Sequence, residues 1–386
     1  MKPDMTSSTR DAEEVHMNHA LTNGYTNGYT LPHPKTSEPI PSRLTELMFG
    51  FCASQTLFAA CELGIFDALY ATVPLSAEDI AEKLSTNQDA TCRILDALTG
   101  MEFLKKHQFA SGPAKYSNMP IADRYLTSTS PESIKCSMAF GSNVLYNLFG
   151  NLQCAVREGQ NQWERSFNRS SAEDFFKDVL ATKEGCIRLM EGMRGTCRPA
   201  AKGVVKAFDL GSFEHMCDLG GCTGDVAYAA CMVYPNTKIT VLDLPPVVQN
   251  ASHFRPSIHE CPNQHNVTFV AGDFFEPTLP AADLYVLTHV LHDWGEAKID
   301  ALLSNVYKNL PSGGGLLIGE LLLKEDKTGP LVGVLASLTM LVLCDKGARE
   351  RSGQEYKQLL EKHGFVDVQY KYTGNSFMDA VFCRKP

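Results

Sequence analysis

Two stretches of this chain hold residue types that can do chemistry together. The first is Asp218-Leu219-Gly220-Gly221-Cys222-Thr223-Gly224, in which His215 to Leu219 reads as a short strand running into the glycines, and a helical segment, Val226 to Tyr234, follows until Pro235 ends it. A strand that passes through a glycine loop into a helix places backbone N–H groups and a positive helix end beside an anionic or polar ligand. Glycine lets that ligand approach the main chain closely. The second stretch is Thr288-His289-Val290-Leu291-His292-Asp293-Trp294, which follows the apolar run Asp283 to Leu287. An imidazole with an ordinary pKa near ~6.5 is a suitable proton acceptor at neutral pH. At the carboxyl end of a strand it also stands where open α/β sheets bind ligands. Taken alone, His292 reads equally well as a core or helix-capping histidine.

Two further strand ends add acids. Lys238 to Leu242 runs into Asp243, and Val267 to Ala271 runs into Gly272-Asp273-Phe274-Phe275. Asp218, Asp243 and Asp273 in register would form an edge able to accept from ribose hydroxyls and from an adenine amine beside an aromatic face. Any one of them is as often a plain turn former. A dinucleotide fingerprint opening at Gly220 would need glycine at Cys222 and Asp225, so NAD is not expected. No G-x-x-x-x-G-K-[ST] occurs, which argues against a nucleoside triphosphate.

The elements that must carry these groups follow from periodicity. From Met216 onward, apolar runs and helical segments alternate as in a doubly wound parallel sheet, so residues 211–386 read as an α/β domain. Upstream, Leu44, Leu47, Met48, Phe51, Leu57, Phe58 and Cys61 recur at helical spacing and Gly64 closes the run. That apolar stripe is wide enough to pack on a partner subunit as well as its own core. Ser76 with Asp79 predicts a capped helix, a second helix follows from Asp89 to about Leu98, and Phe103 to Ser117 predicts a hairpin turning at Gly112 and Pro113. Residues 41–135 therefore read as a winged-helix-like domain. Its Arg93, Lys105 and Lys106 are offset by Asp89, Asp96 and Glu102, which favours packing and dimerisation over DNA binding. Residues 136–210 read as bridging helices. Residues 1–40, with a repeated Asn-Gly-Tyr-Thr, read as a disordered tail.

The bulk composition narrows the setting. A net charge of -9 across 386 residues opposes nucleic-acid binding. No uninterrupted run approaches the ~18–20 apolar residues of a membrane span; the longest candidate is Val332 to Cys344. The polar start lacks a secretory apolar region, so a cytoplasmic protein is expected. Thirteen cysteines without a C-x-x-C pair predict reduced thiols and no metal site.

Taken in order, Phe58-Ala59-Ala60-Cys61-Glu62-Leu63-Gly64-Ile65-Phe66-Asp67, Met216-Cys217-Asp218-Leu219-Gly220-Gly221, Gly272-Asp273-Phe274-Phe275, Ala282-Asp283-Leu284-Tyr285, Val290-Leu291-His292-Asp293-Trp294 and Gly313-Gly314-Gly315 carry a resemblance. From Leu44 to its end the chain resembles the two-domain small-molecule O-methyltransferases, and within them the branch that methylates acetylserotonin. The resemblance implies a Rossmann-like methyltransferase domain behind a mostly helical, winged-helix-like dimerisation domain, and a homodimer. It also implies S-adenosyl-L-methionine as cofactor and a small aromatic hydroxyl as acceptor, with N-acetylserotonin, the precursor of melatonin, as the first choice. His292 takes the place of the family's general base, with Glu320 and Glu350 as its carboxylate helpers. Trp163, Asp218, Gly220, Gly221, Asp243, Gly272, Asp273, Phe274 and His289 take cofactor-binding positions. Four positions depart from the pattern: Cys222 for a glycine, His289 for an arginine, Thr339 for an asparagine and Cys197 for a tryptophan. Loss of an arginine and an amide leaves open another aromatic hydroxyl or nitrogen as acceptor, or a non-catalytic member of the family.

Overall fold

The apolar spacing that starts at Leu44 winds into one helix, α1 (Ser42–Leu63), and Gly64 ends it at φ 78°, a left-handed conformation open to glycine. In this computed structural model the described residues are 40–169 and 171–386, so the tail expected over residues 1–40 lies, except for Ile40, outside them. The chain divides after Met48 into two units, and everything from Phe49 onward belongs to the second. By length and composition α1 suffices to cross a membrane. Arg43, Glu46 and Glu62 interrupt it, which is why counting consecutive apolar residues passes it over. Of its residues only Ala60 and Cys61 are buried.

Helix α2 (Ala77–Leu84) begins in the expected capping box. The Ser76 hydroxyl accepts from the Asp79 N–H at 3.1 Å and the Asp79 carboxylate accepts from the Ser76 N–H at 2.8 Å. Helix α3 (Gln88–Gly100) follows, then the antiparallel pair β1 (Leu104–His107) and β2 (Lys115–Asn118), with Leu75–Ser76 adding a short third strand. Ile65, Phe66, Ile80, Leu95, Leu98, Leu104 and Tyr116 form the core of this part. Shorter helices lead to the long α4 (Lys183–Lys206), whose Ala200, Ala201, Val204 and Val205 pack beneath the sheet while Cys186 and Met190 pack on Val247 and Phe254.

The second part alternates as its periodicity predicts: β3 (His215–Leu219), α5 (Asp225–Val233), β4 (Lys238–Asp243), β5 (Val267–Ala271), β6 (Leu284–Thr288), α6 (Glu296–Asn309), β7 (Gly315–Glu320), α7 (Leu331–Leu343), α8 (Gly353–Lys362), β8 (Val366–Lys371) and β9 (Asp379–Arg384). Seven strands form one sheet in the order β5-β4-β3-β6-β7-β9-β8. Strand side chains alternate between faces. Met216, Ile239, Val241, Leu284 and Val286 fill one core, and Cys217, Leu219, Leu242, Tyr285 and Leu287 the other.

Two features differ from the sequence expectation. The sheet is not wholly parallel, because β9 runs antiparallel to β7 and β8. The link 372–378 is too short for a parallel crossover, which takes a dozen residues or more. The strand-end acids are also stepped rather than level. Asp218 pairs with Val241, and Asp243 pairs with Ala271, so each acid stands two residues further along than its neighbour.

Candidate active site

Strand order reverses around β3, which lies between β4 and β6, and this opens a crevice at the carboxyl ends of the strands. The glycine loop lines one side. The Gly220 N–H donates to Leu242 O at 2.8 Å, and the Cys222 N–H donates to Asp243 Oδ2 at 2.8 Å, which fastens the loop to the end of β4. Asp218 is fully buried and both of its carboxylate oxygens lack a hydrogen-bond partner. Burial, and then the charge of Asp243, push its pKa up to about 7. A buried carboxylate without donors needs a polar partner from elsewhere.

The cradle around Asp218 depends on absent side chains. A Cβ on Gly221 would lie 2.5 Å from Asp218 Oδ2 and 2.8 Å from Val241 Cγ1. Gly220 sits at φ 75°, where a Cβ would meet Phe274 at 3.2 Å and Val290 at 3.5 Å. Cys222 occupies a left-handed conformation too, at φ 51°, in which glycine would be unstrained. Burial pushes its thiol pKa well up. Gly272 packs on Leu242 and its N–H donates to Asp243 O at 2.9 Å. Asp273 is exposed and accepts from the Phe275 N–H at 2.9 Å, while the Phe274 and Phe275 rings lie 4.9 Å apart. Orphaned acid, open loop and neighbouring aromatic suit a nucleoside that carries donors, as S-adenosylmethionine does.

Val290 links this side to the other, since it flanks the loop and belongs to the segment that carries His292. His292 Nδ1 lies 2.8 Å from Glu350 Oε1 and 3.3 Å from Glu320 Oε2, and all three residues are buried. Glu320, at the end of β7, is held by its other oxygen, which accepts from the N–H groups of Val290 and Leu291 at 3.1 and 2.8 Å. Glu350 is thus the hydrogen-bonded orienter of the ring and Glu320 an adjacent charge, a ranking that spacing alone leaves open. With a carboxylate at Nδ1, the neutral ring keeps its proton there and bares Nε2. Asp293 Oδ1 stands 3.5 Å from Nε2 and accepts from the Cys344 thiol at 3.2 Å. Sequence reasoning quoted Asp293 within its motif without giving it a role; its neighbour Cys344 comes from a distant segment.

The expected ordinary imidazole needs correction. Burial opposes protonation of His292, but the charges of Glu320, Glu350 and Asp293 outweigh it and hold its pKa well above the usual value. His289 goes the other way, down to about 4, through burial and the neighbouring His292 charge against a smaller pull from Glu320. The two rings lie 5.2 Å apart, His289 adopts φ 52°, and its buried Nε2 has no partner. Thr339 turns its hydroxyl back onto Leu335 O at 3.3 Å. Trp163 is fully buried at the end of α7, donating from Nε1 to Leu343 O at 2.6 Å and packing 5.3 Å from Phe167.

The chain is similar to known O-methyltransferases in both sequence and fold. Residues 149–366 match an O-methyltransferase domain and residues 45–128 an O-methyltransferase dimerisation domain. Acetylserotonin O-methyltransferase of Homo sapiens is 40% identical over 345 residues, which cover 89% of this chain and 97% of that one. A human protein described as a probable bifunctional dTTP/UTP pyrophosphatase/methyltransferase is 39% identical over 91% of this chain; the chain spans only 55% of that relative's length. The crystal structure of human N-acetylserotonin methyltransferase in complex with S-adenosylmethionine matches with a TM-score of 0.84 at 38% identity, over 91% of this chain and 99% of that one.

Proposed function

From its membership of the S-adenosylmethionine-dependent O-methyltransferases, to which this chain belongs, we propose that it methylates the hydroxyl of N-acetylserotonin with His292 as general base. S-adenosylmethionine, when bound, supplies the methyl group. The observation that carries the role of His292 is its buried 2.8 Å hydrogen bond to Glu350, with Glu320 alongside, next to the glycine loop. A phenolic hydroxyl, pKa ~10, is neutral at physiological pH, and Nε2 takes its proton as the oxygen becomes a nucleophile. The resulting imidazolium lies against two carboxylates that stabilise it. Asp218, Gly220, Gly221, Asp243, Gly272, Asp273 and Phe274 form the cofactor cradle, with His289 beside the base; the cofactor role of Trp163 rests on the family resemblance, since the ring packs against Leu343 and Phe167. The remaining catalysis is alignment of acceptor and donor.

His292→Ala is expected to lower turnover by ~10²–10⁴-fold, the range for loss of a general base, and to leave S-adenosylmethionine affinity by calorimetry nearly unchanged. An equally active variant removes His292 from the role. The ligand atoms of His292, Glu320 and Glu350 lie within 4.8 Å of one another, a spacing that also suits a metal ion. A proton site is proposed instead, so activity should survive exhaustive dialysis against EDTA.

A second acceptor reading is favoured by His289 and Thr339. Each is a poorer donor than the arginine and asparagine of the resembling branch, and Thr339 directs its hydroxyl back into its own helix. If a panel of hydroxyindoles, catechols and azaaromatics shows kcat/KM for another acceptor well above that for N-acetylserotonin, this reading replaces the first. All thirteen cysteines are free thiols, which supports a reducing, cytoplasmic setting. The dimerisation domain supports a homodimer.

A further inference from the structure

One buried cation in this region has no part in the proton transfer described above. Arg351 is only 3% exposed, and its Nη1 donates to the carbonyls of Leu291, at 3.4 Å, and Arg349, at 3.1 Å. These carbonyls belong to the residues immediately before His292 and Glu350. A backbone bond from the Arg349 N–H to His292 O at 3.0 Å closes the same seam. One guanidinium nitrogen therefore joins the two peptide segments that present the base and its orienting carboxylate. Arginine is suited to this place because its fork is planar, stays charged and offers two N–H bonds from a single nitrogen.

The charges point the same way. Facing His292 are Glu320 at the end of β7, Glu350 from the segment after α7, and Asp293 and His289 from its own segment, while Arg351 lies behind them on the Leu291 and Arg349 carbonyls. On α8, burial and then Glu320 push the Tyr356 phenol pKa up while Arg351 pulls it down, so Arg351 acts on the same buried space as the glutamates. Two buried carboxylates beside one imidazole are costly unless a second positive charge is near.

We propose that Arg351 is a positioning residue for methyl transfer, which fixes the His292–Glu350 pair at bonding distance and offsets its negative charge. The proposal rests on the reading of His292 as general base. A displacement of about 1 Å at a reacting group costs on the order of 10²-fold in rate, so loss of the guanidinium should lower kcat by about 10- to 100-fold. It should leave the KM for S-adenosylmethionine unchanged. Removal of a nearby positive charge also favours the imidazolium, so the midpoint of His292 should move to higher pH, opposite to the shift from Glu350→Gln.

The test uses the full chain with Arg351→Gln and Arg351→Lys beside His292→Ala, assayed with S-adenosylmethionine and N-acetylserotonin. Histidine-selective NMR follows the His292 midpoint without reliance on turnover, and calorimetry with S-adenosylmethionine confirms the fold. Arg351→Gln should show the kcat loss and the upward midpoint. Arg351→Lys, which keeps the charge but reaches the carbonyls less well, should recover part of kcat with the midpoint unmoved, and it carries the test if the glutamine variant does not fold. A folded Arg351→Gln with wild-type kcat and wild-type midpoint overturns the proposal, as does Arg351→Lys with an upward midpoint. A fully active His292→Ala overturns the base reading beneath it, whatever the Arg351 variants do.

Discussion

The carboxylates of Glu320, Glu350 and Asp293 set the proton affinity of the histidine at this site. A base whose pKa is raised by neighbouring carboxylates holds its proton more firmly than a free imidazole, and it works only in the fraction that has lost that proton. The acid limb of the kcat/KM profile should therefore lie above pH 6.5, and Glu350→Gln should move it down while lowering kcat. A limb at 6.5 in the wild type, unmoved by the substitution, would show the carboxylates to be electrostatically idle. Residue types at 292, 320 and 350 were legible in the sequence through the family motif. The shifted pKa was not, because two of the three perturbing carboxylates arrive from β7 and from a segment 58 positions away. Asp218 gives an independent check by stability. Its folded-state pKa, about 7, lies above the unfolded value of ~3.9, so the stability it contributes is complete below pH ~4 and is lost as pH rises through about 7. Asp218→Asn removes that dependence. Its melting temperature relative to the cofactor-free wild type should climb between pH 4 and 7, by the equivalent of a few kcal/mol at most. A difference that stays flat across the window would mean that Asp218 is solvated in the free protein.

At the scale of the elements, the glycine loop works because β3 and β4 hold it against Asp218 and Val241 with no room for a side chain at Gly221. Gly221→Ala forces a Cβ into a carboxylate and an isopropyl group, strain of about 1–3 kcal/mol by the usual cost of overpacking. Lower melting temperature and weaker S-adenosylmethionine binding should appear together. If binding falls while the melting temperature holds, the loop is shaping the ligand site without bearing on the fold. Strands β3 and β5 form over the residues that apolar spacing picks out, since a short run of strand-forming residues is legible locally, even at the edge strand β5 where only Val267 is buried. The two-residue step between Asp218, Asp243 and Asp273 and the reversed β9 were hidden. Register and direction are settled by how strands meet, and no local run of residues encodes that.

For the whole molecule, the decisive surface is α1, where Leu44, Leu47, Met48, Phe49 and Phe51 are each more than half exposed. An apolar patch of this kind marks a partner or a membrane. Length and composition of α1 allow either, but the match of residues 45–128 to a dimerisation domain favours a second copy of the chain, and a net charge of -9 disfavours anionic lipid. Burial of one large apolar side chain contributes about 1.5–3 kcal/mol, and a symmetric interface counts each substitution twice. Phe51→Glu should therefore weaken self-association by at least 100-fold. Sedimentation should show the wild type at twice the chain mass and the variant at the monomer mass, at the same concentration. A wild type that sediments as a monomer and floats with phosphatidylcholine vesicles would instead assign this helix to a bilayer surface.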